Sequence, residues 1–534
     1  MANTFVHFKL DVDKESRRRF STRQVHAGAT PDPNTKARAV PIYATASYVF
    51  TNSEHARRVC SNEEAGYVYS RIANPTVEVL EKRVASLEGG TAAVACASGQ
   101  AAAFQTILCL ASSGENIVSS TNLYGGTYSM FKTLLPRIGI SVRWVNDDDP
   151  RSFQALTDEK TKLYYLETVG NPRISVPDMA AIAELAHAHT IPFVVDNTFG
   201  AGGFWCPVID YGADIVIHSA TKWLGGHGTT VGGVVVDSGR FDWSKTGGKF
   251  PVLTHPAGST VEVSYATAYG NCAFALAVRI EGVMKVGGVM NPFAAQQILL
   301  GIETLSLRCE RIGANALRVA TYLSSSPKIE WVSYPGKWLS TDRYHSMATK
   351  YMRRGYGGVL SFGLRGGTTA SRHFVDALDL ISNMTNVGDC KTMATHPWSS
   401  THSLLSEKDR IDAGVTEDLI RLSIGTEDCD DILADIRTAF EAIPQTAAAG
   451  GSVEETTAWV IAREEMTAAE EMAVTKELAA VRVITTEDIA AGECEEITTP
   501  EETDATGQGY PATESMDNVD NTMAAENSTV SVSA

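Results

Sequence analysis

The chain has 534 residues, 44% of them hydrophobic, with a formal charge of −18; its length allows about three to four domains of ~150 residues, or fewer if they are large α/β units. From Gln445 onward nineteen Asp or Glu stand against three Lys or Arg, so the acidity belongs to a tail and the rest is near neutral. That balance gives no charge argument for nucleic acid, and the absence of any run near eighteen apolar residues, or of a charged-then-apolar leader, gives none for a membrane span or secretory signal.

Residues 1–75 hold few long periodic segments and several turn formers, notably Pro31-Asp32-Pro33-Asn34, and are expected to be an extended N-terminal arm. Over residues 76–300, helical patterns alternate with short β-branched runs, such as Ile117-Val118-Ser119, Ile140 to Val145 and Leu163 to Glu167. That alternation predicts an α/β fold, a mostly parallel sheet with helices on both faces. Over residues 301–444 the strands Ile329 to Tyr334 and Val359 to Leu364 mix with amphipathic helices, which predicts a smaller α+β domain. Residues 445–534 repeat Thr, Glu, Ala and Gly with few aromatics. Such a segment cannot bury enough apolar surface to offset its ordering entropy, so a disordered tail is expected. One weak helical stripe runs through it: Trp459, Ala462, Met466, Ala469 and Ala473.

Nine cysteines, Cys60, Cys96, Cys109, Cys206, Cys272, Cys309, Cys390, Cys429 and Cys494, are scattered without CxxC or zinc spacing. Reduced thiols in a cytoplasmic protein, and no metal site, are expected.

The most informative residue is Lys222, in Ile215-Val216-Ile217-His218-Ser219-Ala220-Thr221-Lys222, where an apolar strand delivers an amine between hydroxyls and a glycine cluster. Alone it reads more readily as an exposed lysine after a strand. Asp196, however, closes another apolar run, Ile191 to Val195. Two such runs ending in a carboxylate and an amine predict adjacent parallel strands that open on one crevice. A buried amine of lowered pKa can hold an aldehyde as a Schiff base, and an acid can keep a pyridine nitrogen protonated, which together meet the needs of pyridoxal 5'-phosphate.

At this point the chain resembles the fold-type I pyridoxal phosphate enzymes of cysteine and methionine metabolism, from about Thr22 to about Ala442. The resemblance rests on an ordered series: Thr22 to Gly28, Arg38 to Tyr43, Tyr69-Ser70-Arg71 with Asn74-Pro75-Thr76, Ala97 to Ala102, Leu123 to Tyr128, Gly357 to Gly363 and Asn386 to Asp389. Within the family, the detailed match is to the O-acetylhomoserine sulfhydrylases, or homocysteine synthases.

The resemblance implies roles for particular residues. Gly99 and Gln100, at a helix start after Ser98, cradle the cofactor phosphate with Ser219 and Thr221. Tyr69 and Arg71 reach the phosphate of a neighbouring subunit, so a homodimer at least, and commonly a tetramer, is implied. Tyr124 stacks on the pyridine ring and assists either proton transfer or the leaving group; Asn171 hydrogen-bonds the ring's phenolic oxygen and Thr198 belongs to the cofactor set; Asp196 faces the ring nitrogen; Lys222 carries the cofactor and moves the α-proton. Arg421, in Leu419 to Gly425, binds the α-carboxylate of an amino acid substrate, with Asn386 and Thr401 in support. His227 in Gly225-Gly226-His227-Gly228 reads as a hydrogen-bonded structural histidine.

The implied reaction is a γ-replacement converting O-acetyl-L-homoserine and sulfide, or a small thiol, to L-homocysteine and acetate in methionine biosynthesis. Cystathionine γ-synthase and methionine γ-lyase would use the same residues, although Gly126 stands where the γ-lyases carry cysteine. A non-catalytic scaffold would not need both Lys222 and Asp196.

Overall fold

The computed structural model describes residues 10–61, 63–256, 263–336, 343–403 and 406–444. The chain divides into two units, Met1–Thr456 and Thr457–Ala534, and the second, with the Trp459 stripe, lies outside the described residues, as does all of the acidic tail.

The larger sheet is built from β1 (Ala92–Cys96), β2 (Asn116–Ser120), β3 (Ser141–Val145), β4 (Thr161–Glu167), β5 (Phe193–Asp196), β6 (Ile215–Ser219) and β7 (Gly233–Asp237). Its order is β1-β7-β6-β5-β4-β2-β3. All pairings are parallel except those of β7 with β1 and β6. Parallel central strands are covered on both faces, which is why β4 is buried along its whole length and its centre, Leu163 to Leu166, is an unbroken run of aliphatic and aromatic residues. Each fully buried Val or Leu in such a layer contributes roughly 1.5–3 kcal/mol.

Helix starts follow from local chemistry. Helix Pro75–Glu88 begins where the Asn74 side chain accepts the Thr76 N–H and proline occupies the first turn, and it stops at Gly89, whose φ of 81° few other residues adopt without strain. Helix Gly99–Leu110 begins at Ser98, whose hydroxyl accepts the Ala101 N–H at 3.1 Å.

The second sheet comprises β8 (Ile329–Ser333), β9 (Val359–Leu364), β10 (Ser382–Asn383), β11 (Met393–Thr395) and β12 (Leu419–Ser423), in the order β10-β11-β12-β9-β8. Only β10 and β11 pair in parallel. Leu360, Phe362, Ile420 and Leu422 bury one core with Val319 and Leu323 of helix Leu305–Ser324 and Ile432 and Ile436 of helix Cys429–Glu441.

The N-terminal segment departs from the extended reading, because it contains helices Val12–Ser16, Phe20–His26 and Ser53–Cys60. Phe20 meets Phe204 edge to face at 5.3 Å and Gln24 donates to the Ser306 hydroxyl at 3.0 Å, so tertiary partners hold a segment of about two turns, too short to declare its period. No helix among the described residues is long and apolar enough to cross a membrane.

Candidate active site

Three strand ends form the floor of the site. β4 closes on Glu167 and β5 on Asp196, directly opposite each other in register, and β6 closes on Ser219, just before Lys222. Because the three strands are parallel neighbours, their carboxyl ends open into one cavity of about 260 Å³. Its wall includes Gly99, Gln100, Tyr124, Asn171, Asp196, Thr198, Ser219, Thr221, Lys222 and Arg421, gathered from segments more than 300 residues apart.

At the base, Asp196 accepts the Thr198 N–H at 3.0 Å and the Thr198 hydroxyl at 2.6 Å. Burial pushes its carboxyl above the usual range while these donors pull it back. The Thr198 hydroxyl in turn accepts the Ser219 N–H at 2.8 Å, tying the end of β5 to that of β6. Lys222 donates from Nζ to Oδ1 of Asn386. Burial, with the Arg421 charge adding to it, brings the Lys222 amine down to about 8, so an appreciable share is the free base near neutral pH.

Arg421 arrives from β12 of the second sheet. It is buried, and burial lowers its guanidinium to about 10. Its acceptors are Asn171 Oδ1 at 3.2 Å and the carbonyls of Thr385 at 2.9 Å and Asn386 at 3.3 Å. No carboxylate among the described residues pairs with it. A buried cation with neutral partners only is costly, and a carboxylate supplied by a ligand would offset that cost bidentately.

At the opposite end lies the start of helix Gly99–Leu110, whose first N–H groups have no intrahelical acceptor. A Cβ at Gly99 would stand 2.8 Å from Cβ of Ser219, so only glycine lets this helix start close on the β6 end. Thr221 accepts the Gly232 N–H at 3.0 Å and keeps its hydroxyl at the wall.

Tyr124 is half-exposed at the mouth, and its N–H donates to Glu167 Oε1 at 2.6 Å. A Cβ at Gly126 would lie 2.4 Å from Tyr124 Cε1, so glycine there leaves the ring its present position.

Three expected site residues, Tyr69, Arg71 and Thr401, stand apart from this wall, and a fourth, Asn386, reaches it as the acceptor of the Lys222 amine. Tyr69 and Arg71 are exposed; Arg71 lies over the Tyr69 ring at 5.4 Å and donates to the Met284 carbonyl, and neither lines the cavity of its own chain. Thr401 is exposed, its hydroxyl 2.8 Å from Nδ1 of His402. His227 is exposed and donates from Nδ1 to the Gly225 carbonyl at 2.6 Å.

Sequence reasoning missed Thr127, Glu167, Phe199, Thr385 and Val387 in the wall. It also missed His402, a buried imidazole whose Nε2 lies 3.6 Å from where a Cβ on Gly125 would be. Glu167 alone carried a signal, since it closes the apolar run of β4 as Asp196 closes that of β5.

A seven-stranded, mostly parallel sheet with a lysine and an aspartate at adjacent strand ends, beside a smaller sheet, defines the fold-type I pyridoxal-phosphate-dependent enzymes. Residues 21–441 match the model of the Cys/Met metabolism PLP-dependent enzymes. The chain belongs to that family. It is 52% identical over 422 residues to a homocysteine synthase of Schizosaccharomyces pombe, covering 79% of this chain and 98% of the relative. A sulfhydrylase of Fusarium oxysporum f. sp. lycopersici is 51% identical over 422 residues, 79% of this chain and 97% of the relative. Among solved structures, a Campylobacter jejuni protein described as an O-acetylhomoserine (thiol)-lyase, carrying N'-pyridoxyl-lysine-5'-monophosphate, superposes with a TM-score of 0.76 at 34% identity, over 79% of this chain and 100% of that one.

Proposed function

We propose that the chain replaces the acetoxy group of O-acetyl-L-homoserine with sulfide, or with a small thiol, releasing L-homocysteine and acetate. The observation that carries this reading is the convergence of Lys222, Asp196 and Arg421 on one cavity, an amine from the turn after β6, a carboxyl from the end of β5 and a guanidinium from β12. The relatives named as homocysteine synthase and sulfhydrylase support the choice of reaction.

Pyridoxal 5'-phosphate fits the donors present: Lys222 would hold its aldehyde, Asp196 its protonated ring nitrogen, Asn171 its phenolic oxygen, and Gly99, Gln100, Ser219 and Thr221 its phosphate. When bound, it supplies an electron sink for charge developing on the substrate. Arg421 binds the substrate α-carboxylate, with Asn386 and Thr401 in support, and so sets which carbon faces Lys222. With its amine free, Lys222 Nζ would take up the proton from Cα and, once that proton is passed on, a second one from Cβ, while the acetoxy group leaves Cγ with the bonding electron pair as acetate. Sulfur bonds to Cγ, and the proton steps reverse. Tyr124 would cover the ring of the bound group and assist these transfers.

The exposed Tyr69 and Arg71 are read as serving a neighbouring subunit's phosphate, so the working form is at least a homodimer, with a tetramer as its common extension. The free thiols suit the cytoplasm, where this reaction is placed.

Incubating the purified protein with O-acetyl-L-homoserine and, separately, sulfide, methanethiol or cysteine tests the reading. Homocysteine from sulfide is the expected product. Cystathionine as the dominant product, or 2-oxobutyrate without added thiol, would replace it with a cystathionine γ-synthase or a γ-lyase.

A further inference from the structure

Glu167 lines the cavity, yet the reaction outlined above gives it no task. We propose that Glu167 is a positioning residue, which anchors the Tyr124 turn as an uncharged carboxyl and leaves Asp196 as the one negative charge at these strand ends. The inference rests on the cofactor reading of the cavity.

Register supplies the first argument. Glu167 and Asp196 are paired positions on adjacent parallel strands, and neighbouring strands lie only about 4.8 Å apart. Two carboxyl groups so placed do not both ionise readily in a buried setting. Donors decide which one keeps the proton. Asp196 receives both an N–H and a hydroxyl from Thr198, whereas Glu167 receives the Tyr124 N–H at 2.6 Å. No Lys or Arg among the described residues forms an ion pair with Glu167. The groups facing it are Asp196 from β5, the Tyr124 backbone from the turn, and Tyr165 two residues back on β4, whose buried hydroxyl has no hydrogen-bond partner among the described residues. Burial first, and the Asp196 charge second, push the Glu167 carboxyl well above the usual range.

Tyr124 supplies the second argument. Its ring is half-exposed at the mouth and is followed by two glycines, so little in the turn itself fixes it. The bond from its N–H to Glu167 is a direct tie between this turn and the rigid end of β4.

Spectroscopic titration of wild type with pyridoxal phosphate comes first. Visible absorbance that Lys222→Ala lacks sustains the cofactor reading; its absence removes that reading and this inference together. Given binding, Glu167→Gln keeps an acceptor for the Tyr124 N–H and no charge, so its cofactor dissociation constant and kcat are expected within about threefold of wild type. Glu167→Ala is expected to lose roughly tenfold or more in kcat, with weaker cofactor binding, because the tie is gone. Equal damage in both variants overturns the inference alone, since a charge at Glu167 is then in use. Wild-type behaviour in both also overturns it. Should the alanine variant not fold, pH titration of the bound cofactor's absorbance decides: the alkaline limb is expected to move in Glu167→Gln, and curves coincident with wild type overturn the proposal.

Discussion

The two faces of β5 and β6 carry the same kinds of side chain and treat them in opposite ways. Alternation along the strands sends Asp196 and Ser219 to the cavity and Asn197 and His218 to the far side. On the far side, His218 Nε2 lies 2.6 Å from Glu88 Oε1, the same oxygen accepts the Asn197 amide at 2.9 Å, and all three residues are buried. That acid has found its base. On the cavity side, the Asp196 carboxyl, the Lys222 amine and the Arg421 guanidinium share one space and form no ion pair with one another or with any described residue. Ionisable groups that burial isolates and the protein does not pair are waiting for partners from outside; the paired ones serve the fold.

The contrast fails outright if Lys222 is dispensable. Lys222→Ala is expected to lower turnover of O-acetyl-L-homoserine with sulfide by about 10³-fold or more while leaving the melting temperature of cofactor-free protein unchanged, measured by product assay and by thermal unfolding. Asp196→Asn should cost less, roughly 10²-fold in kcat, and should shift the pH dependence of the bound cofactor's absorbance, because the amide cannot hold the ring proton as a carboxylate does.

Mutation on the far side should reverse the pattern. His218→Leu leaves Glu88 buried without its base and is expected to cost about 3–5 kcal/mol of stability by denaturant unfolding, while kcat of the folded fraction stays within about threefold of wild type. A loss of turnover comparable to that of Asp196→Asn, without destabilisation, would show that the two faces are not independent.

His402 extends the contrast through pH. It is buried beside the Tyr124 turn, and burial first, then the Arg421 and Arg410 charges, lower its imidazole to about 4. The unfolded chain takes up this proton near pH 6.5 and the folded chain only near 4. Between those values the unfolded state therefore binds more protons, and stability falls as pH drops. The loss attributable to this group is about 3 kcal/mol across that window, and His402→Gln should flatten the slope of unfolding free energy against pH there.

Two members of the cavity wall were legible because each follows an apolar run. Asp196 after Phe193-Val194-Val195 and Lys222 soon after Ile215-Val216-Ile217 announce buried parallel strands whose ends carry chemistry. Ser98-Gly99, before an alanine-rich run, announces a capped helix start in the same way. Glu167 obeyed the same rule but was overlooked, since nothing in a single strand says which acid will face which neighbour. His402 lies in an irregular segment after β11, and no period marks its burial.

The sequence by itself therefore determined the alternation of helices and strands over residues 76–300, the mixed elements of residues 301–444, and the amine and acid at two strand ends, since local periodicity and caps are written in neighbouring residues. Only the tertiary structure decided that β4 sits in register against β5, that Arg421 from β12 and Asn386 from the β10–β11 loop come to the Lys222 end of the cavity, and that Glu88 rather than a ligand answers His218. Those outcomes depend on long-range strand pairing and on how much water each side chain loses, quantities that no stretch of sequence carries alone.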